Sequence, residues 1–210
     1  MEAPAVIRDT IAKRKTIVDP FQIAQGVEVE QFSSVLSFNI SDIKSVAKKH
    51  GVSFNAVLIS VYGRAIGKYL SSKHGTLLDI LIVGSATPWP GRPENFIGNH
   101  HNLMGSAVPL KITSPIESLD PVQAQITDFY TSRKCIINKY IVLKMQSIFP
   151  SVILGSVITA SGARCVLSPM LGHDEYVYNG RSVRSSTPLA GIGASIVGMY
   201  ICKEVCSLLT

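Results

Sequence analysis

Between Phe54 and Leu70 nine apolar residues recur at intervals of three and four: Phe54, Val57, Leu58, Val61, Tyr62, Ala65, Ile66, Tyr69 and Leu70. That spacing follows the 3.6-residue turn of an α-helix, and Ser53 just ahead of it supplies a capping hydroxyl. The stripe is wide enough to predict burial on more than one side. Gly63 and Gly67 lie four apart within it and predict close approach of another backbone. The helix exits through Ser71-Ser72-Lys73-His74-Gly75, and a nearly continuous apolar run follows over residues 77–87. Short and rich in Ile, Leu and Val, that run predicts a strand buried on both faces. A largely apolar helix followed by a buried strand points to a layered α/β domain.

The flanking segments extend the same pattern. Residues 35–40 alternate apolar and polar side chains and predict a strand. Ser41 is expected to cap a short helix in which Ile43, Val46 and Ala47 share a face and Gly51 supplies the stop. Pro88, Pro90, Gly91 and Pro93 force an irregular loop that contains Arg92. Residues 102–110 read as another strand. Asp120-Pro121 predicts a helix start, with Val122, Ile126, Phe129 and Tyr130 continuing a face toward Met145. A second, more apolar helix is expected after Pro150, to about Thr159. From Gly162 the pattern turns to strands over 163–168, 175–184 and 192–202, punctuated by Gly172, Asn179-Gly180 and Gly191. The expected fold is an α/β two-layer sandwich on a mixed sheet. Residues 1–25, with Lys13-Arg14-Lys15 and a break at Asp19-Pro20, read as a basic N-terminal arm, and residues 26–210 as the domain.

Composition narrows the function classes. With 46% apolar and 16% charged residues, the chain can build a core, which excludes disorder as a global description. The net charge of +6 suits an anionic lipid surface or a phosphate-bearing ligand. It forms no basic stripe with interleaved aromatics, so no nucleic-acid partner is expected. The four cysteines (Cys135, Cys165, Cys202, Cys206) form no CxxC pair and read as small core hydrophobes. Metal is not expected: no HExxH or second His/Asp cluster accompanies His100-His101. Asn39-Ile40-Ser41 is formally a glycosylation sequon, relevant only in a secretory compartment. No signal peptide opens the chain, and residues 148–160 are too short and Pro-interrupted to span a bilayer.

Several stretches, taken in order, resemble the C-terminal half of the wax ester synthase/diacylglycerol acyltransferase family. Val52-Ser53-Phe54-Asn55-Ala56-Val57-Leu58 is similar to its "vNDvvL" segment, and Pro88-Trp89-Pro90-Gly91-Arg92 to its "PvsxR" turn. Gly98-Asn99 matches "GN", and Asp120-Pro121 matches "dPverL". Leu167-Ser168-Pro169-Met170-Leu171-Gly172 resembles "lSNvpGP", and Tyr178-Asn179-Gly180 resembles "yl.G". Gly191-Ile192-Gly193 with Met199-Tyr200 resembles "giGl…SY". The matches span roughly residues 33–204.

The resemblance implies half of a chloramphenicol-acetyltransferase-like fold. In such proteins two α/β halves enclose a tunnel between them, which acyl-CoA enters from one side and an alcohol or diacylglycerol from the other. The family's base is the second His of an HHxxxDG motif in the N-terminal half, which deprotonates the acceptor hydroxyl. Here His100-His101 is followed by Gly105 and Ser106 where Asp and Gly belong, and it lies in the wrong half. It reads instead as the polar lip of a strand. Ala56 and Pro169 replace the family's Asp and Asn. The resemblance therefore assigns no catalytic residue to this chain.

The resemblance assigns substrate contacts to Asn55, Arg92 and Asn99. Each also has a plain reading: a satisfied first-turn residue, a solvated loop cation and a strand-end cap. Arg92 in its functional reading is a fixed cation near CoA phosphates or a clamp on the two halves. Ser168 and Gly172 read as turn formers, and His173-Asp174 as a hairpin charge pair. The expected partners are long-chain acyl-CoA as co-substrate, a lipid alcohol or diacylglycerol, a missing N-terminal half-domain or a second copy, and a membrane surface. No cofactor is expected, and the implied location is the endoplasmic reticulum or another intracellular membrane. The alternative is a catalytically inactive half-domain that binds lipid or another protein.

Overall fold

A computed structural model describes residues 35–74, 79–88, 101–137, 165–171, 176–183, 195–201 and 205–209. Strand β1 (Val35–Asn39) leads into helices α1 (Ile40–His50) and α2 (Phe54–His74), then strands β2 (Ile80–Pro88) and β3 (His101–Pro109). A 3-10 turn (Pro115–Ser118) precedes helix α3 (Leu119–Thr131). Strands β4 (Cys165–Leu171), β5 (Tyr176–Tyr178), β6 (Arg181–Val183), β7 (Ser195–Ile201) and β8 (Val205–Leu209) follow.

Local chemistry explains the helix ends. The cap of α1 is Asn39 rather than the expected Ser41: its side-chain oxygen accepts from the Ser41 N–H at 3.2 Å. At the other end Gly51 takes the left-handed conformation (φ 64°) and donates to the Ala47 and Lys48 carbonyls, as its sequence position predicts. Ser53 caps α2 as expected, its Oγ accepting from Ala56 N at 3.2 Å. The start of α3 departs from expectation. Ser118 occupies its cap, but the Ser118 hydroxyl donates to the Pro115 carbonyl at 2.6 Å and caps nothing in α3. Asp120 and Pro121 therefore sit inside the first turn. Helix α3 ends at Thr131, short of Met145, and residues 134–137 add one more helical turn. The apolar helix expected after Pro150, like the arm 1–25, lies outside the described residues.

The larger sheet has six described strands in the order β1-β8-β7-β4-β2-β3. Strands β2, β4 and β7 run parallel and the remaining pairs antiparallel. In the β2–β3 register, Leu81, Val83, Ser85 and Thr87 share a face with Asn102, Met104, Ser106 and Val108. All eight are buried. Helices α2 and α3 cover this face, and α1 packs against α2. The core joins Ala56, Leu58, Ile59, Tyr62 and Leu70 of α2 to Val122, Ile126 and Phe129 of α3. The two-layer α/β class expected from sequence is the observed one.

One expectation about α2 changes. Gly63 and Gly67 do admit a close neighbour, but it consists of the Val108 and Leu110 side chains rather than a backbone. The helix is buried on more than one side, against the sheet, α1 and α3, while Val61 is 60% and Tyr69 55% exposed. A further difference falls at residues 175–184, which form not one strand but the β5–β6 hairpin. Asn179 (φ 54°) and Gly180 (φ 74°) both take positive φ, the requirement of a tight type I′ turn.

Strand β3 ends the described order of the sheet, and α3 protects its edge. The Gln125 side-chain amide accepts from Ala107 N at 2.8 Å and donates to Ala107 O at 2.9 Å. Those are the two bonds a neighbouring strand would make, so the clamp blunts this edge against strand addition. Two residues on, Pro109 has no N–H to offer.

Candidate functional site

Strands β2 and β4 are neighbours for only part of their length. Their ladder consists of Val83↔Cys165, Gly84↔Val166 and Ser85↔Leu167. Beyond those pairs β2 continues to Pro88 against β3, while β4 continues to Leu171 against β7. The sheet therefore parts between two parallel strands at their carboxyl ends. Pro169 lies two residues past the last shared pair and has no N–H with which to extend the ladder. The connection after β2 goes to β3 on one side, and the chain after β4 reaches β7 on the other. Such a switch point, outside the carboxyl ends of parallel strands, is where open α/β sheets bind ligands.

Asn55 lies in the first turn of α2 and is half-buried. Helix α2 runs in the sense of β3, because Gly63 faces Val108 and Gly67 faces Leu110. At about 1.5 Å per residue, Asn55 is set back roughly 12 Å from Gly63 toward the end where β2 finishes. Arg92 and Asn99 belong to the connection 89–100, outside the described residues, but its anchors Pro88 and His101 face one another at that same end. The fold thus places Asn55 and both roots of this connection at the split end of the sheet. His100, Gly172 and His173-Asp174 also lie outside the described residues. His101 opens β3 as the strand-lip reading expects, and Gly105 and Ser106 fall within that strand. Ser168 is a strand residue of β4, not a turn former.

At the β2 lip of the split lies a polar cluster that the sequence did not single out. The Thr87 hydroxyl donates to the Asn102 carbonyl at 3.3 Å. Asn102 Nδ2 donates to the Cys135 carbonyl at 3.0 Å, with Cys135 Sγ at 3.8 Å. Burial raises the pKa of the nearby Tyr130 phenol. The signal available in the sequence was Thr87 and Asn102 standing in largely apolar strands, at positions whose partnership only the register reveals.

Deeper in the core, the Tyr62 hydroxyl faces the Cys165 thiol. The phenol oxygen is a buried polar atom without a hydrogen-bond partner among the described residues. Burial pushes the thiol from 9.0 to about 12, the phenol partly offsetting the rise. Burial raises the Tyr62 phenol further still, with Cys165 adding to it. Such a thiol is no nucleophile at neutral pH. The unfolded chain releases both protons at lower pH than the fold does. Stability is therefore intact below pH 9 and declines as pH rises toward 12, by up to about 1.4 kcal/mol per pH unit per group. Urea unfolding is expected to show a falling midpoint over this interval, with a shallower fall in Cys165→Ala. Equal slopes in the two proteins would contradict the assignment. Cys135 and Cys165 are both free and buried. No group of three or more His, Cys, Asp or Glu among the described residues is placed to hold a metal ion.

A two-layer unit with a parting of parallel strands defines a class: the chain has the fold of one half of the chloramphenicol-acetyltransferase-like acyltransferases and condensation domains. It is similar over 99% of its length to the wax ester synthase/diacylglycerol acyltransferase from Marinobacter aquaeolei VT8, with a TM-score of 0.64 and 13% identity, covering 49% of that chain. The SgcC5 protein from Streptomyces globisporus matches 100% of this chain and 51% of its own, with a TM-score of 0.56 and 13% identity. The starter condensation domain of rhizomide synthetase, solved with C8-CoA and Leu-SNAC, matches 99% and 46%, with a TM-score of 0.56 and 10% identity. The chain thus spans about half the length of these structures. No sequence profile of a known protein family matches it, and no curated protein matches it by sequence.

Proposed function

We propose that this chain is the C-terminal-type half of an acyl-CoA-dependent O-acyltransferase that transfers a long acyl chain to diacylglycerol or a lipid alcohol. The observation that carries the reading is the split between β2 and β4, toward whose end Asn55 and the roots of the 89–100 connection are placed. The ordered motif matches and the likeness to half of an acyltransferase fold support it. In this reading Asn55 and Asn99 contact substrate, and Arg92 faces the CoA phosphates or ties the two halves together. The base belongs to a second half-domain bearing HHxxxDG, because the residues after His100-His101 form a strand. Acyl transfer then follows deprotonation of the acceptor hydroxyl by that base and attack on the thioester carbonyl. The product is triacylglycerol or wax ester.

The net charge of +6 favours a peripheral site on an intracellular membrane such as the endoplasmic reticulum. No helix among the described residues is long and apolar enough to cross a bilayer. A second reading, an inactive half-domain that binds lipid or protein, is favoured by Ala56 and Pro169 in place of polar family residues. Titration with palmitoyl-CoA separates the outcomes. The acyltransferase reading expects saturable binding by this chain, and transfer to diacylglycerol only once an HHxxxDG-bearing half is supplied. Binding without transfer in that mixture would select the inactive module, and absence of binding would overturn the acyl-CoA reading.

A further inference from the structure

Past Ser85, β2 loses β4 as a neighbour and, among the described residues, keeps only β3. A strand end held from one side frays readily, because half its backbone groups no longer sit in a ladder. Yet Thr87, on this very stretch, is 2% exposed, and its register partner Asn102 is 4% exposed. Polar side chains so deeply buried are nearly always hydrogen-bonded, and here the Asn102 side-chain bond leaves the sheet. Thr87 donates to the Asn102 carbonyl, and the Asn102 amide donates to the Cys135 carbonyl just beyond α3. One continuous chain thus runs from β2 through β3 to the helical turn after α3. It stands where the β4 ladder stops.

We propose that Thr87 and Asn102 are positioning residues that pin the β2 lip of the split to the turn after α3, so that the crevice keeps the shape an acyl-CoA enters. The identity of that ligand rests on the function proposed above, whereas the pinning rests on the split and the two hydrogen bonds alone. Neither residue is asked to touch the reacting atoms. Their effect reaches a ligand through the strand ends and through the roots of the connection between them.

Thr87→Val keeps the shape and removes the hydroxyl, Thr87→Ser restores the hydroxyl, and Asn102→Ala removes the side-chain amide that reaches Cys135. Two measurements are made on the whole chain: hydrogen exchange at the amides of residues 86–87 and 102–104, and palmitoyl-CoA affinity. Thr87→Val and Asn102→Ala are expected to speed exchange there about tenfold or more, the cost of a lost buried hydrogen bond, and to weaken palmitoyl-CoA about as much. Exchange in α2 and in β7–β8 should be unchanged, and Thr87→Ser should recover both readouts. Unchanged exchange at the strand ends, or exchange raised equally throughout the sheet, would overturn the pinning. Faster exchange with unaltered palmitoyl-CoA affinity would overturn the positioning role. If the unmutated chain binds no palmitoyl-CoA, the acyl-CoA reading fails and exchange alone decides the pinning. If Asn102→Ala fails to fold, the near-isosteric Thr87→Val decides both points.

Discussion

Ala56→Asp, which restores the acidic residue that the resembling family carries after Asn55, is expected to lower folding stability by about 3–5 kcal/mol, the penalty of an unpaired buried charge. Ala56 is 0% exposed and lies in the main core with Leu58, Ile59 and Tyr62. Its position in the first turn of α2 offers a carboxylate some help from the helix dipole, but only about 0.3–1 kcal/mol at ordinary sites. The Ala56 N–H is already satisfied by the Ser53 hydroxyl and carbonyl, so the new side chain gains little from the cap. Desolvation wins. The carboxyl would lower its cost by keeping its proton, which raises its pKa in the fold. The loss should therefore shrink as pH falls, and Ala56→Asn should show no such pH dependence. Urea unfolding at about pH 7 and pH 4 reads both effects. A variant as stable as the parent would mean that a buried cation stands ready beside residue 56, and the site would then retain the polar character its sequence lacks.

Local signals carried much of the architecture. The period of α2, the apolar run that became β2, the Gly51 stop and the Ser53 cap each depend on residues within one turn or one strand of each other. The Asn179-Gly180 pair was visible as punctuation, but its two positive φ angles are what split one expected strand into β5 and β6. Strand β8 (Val205–Leu209) went unread because it is short, terminal and defined by its antiparallel partners β1 and β7. The candidate site was less legible for a related reason. Pro169 can be seen in the sequence, but nothing local says that it lies just past the end of the ladder to β2. Thr87 and Asn102 are fifteen residues apart and become partners only through register. Exposure of Val61 and Tyr69 was hidden in the same way, since period fixes which residues share a face and not how many neighbours arrive to cover it.

The fold by itself hosts more than one chemistry: an acyltransferase and condensation domains share it with this chain. What distinguishes a member is the equipment at the split. In this chain one lip carries Pro169 where the resembling family has Asn, and the other carries buried hydrogen bonds that run from Thr87 through Asn102 to Cys135. These residues account for shape and support, and in the function proposed above the proton chemistry falls to a second half-domain.

The same helix that presents Asn55 is seated by its glycines, which leads to the second large expectation. A Cβ built at Gly63 would lie 2.8–3.0 Å from Val108 Cγ2, Cβ and Cγ1. Because Val is branched at Cβ and stiff about χ1, it has no flexible tip to swing aside. Relief requires α2 and β3 to move apart. A Cβ at Gly67 would lie 2.6 Å from both Leu110 Cδ atoms, the far end of a side chain that can change rotamer. Alanine in a helix interior gains about 1 kcal/mol over glycine in propensity, which opposes the clash at both positions. Gly63→Ala should still be destabilising by about 1–3 kcal/mol net, as overpacked cores are, and Gly67→Ala clearly less so. Gly63→Val should exceed both. The compensating pair Gly63→Ala with Val108→Ala should recover much of the loss, because the second change vacates the volume that the first one needs. Denaturation midpoints of the four variants check the order, and a Gly67→Ala variant that suffers more than Gly63→Ala would show that Leu110, not Val108, is the rigid side of this contact.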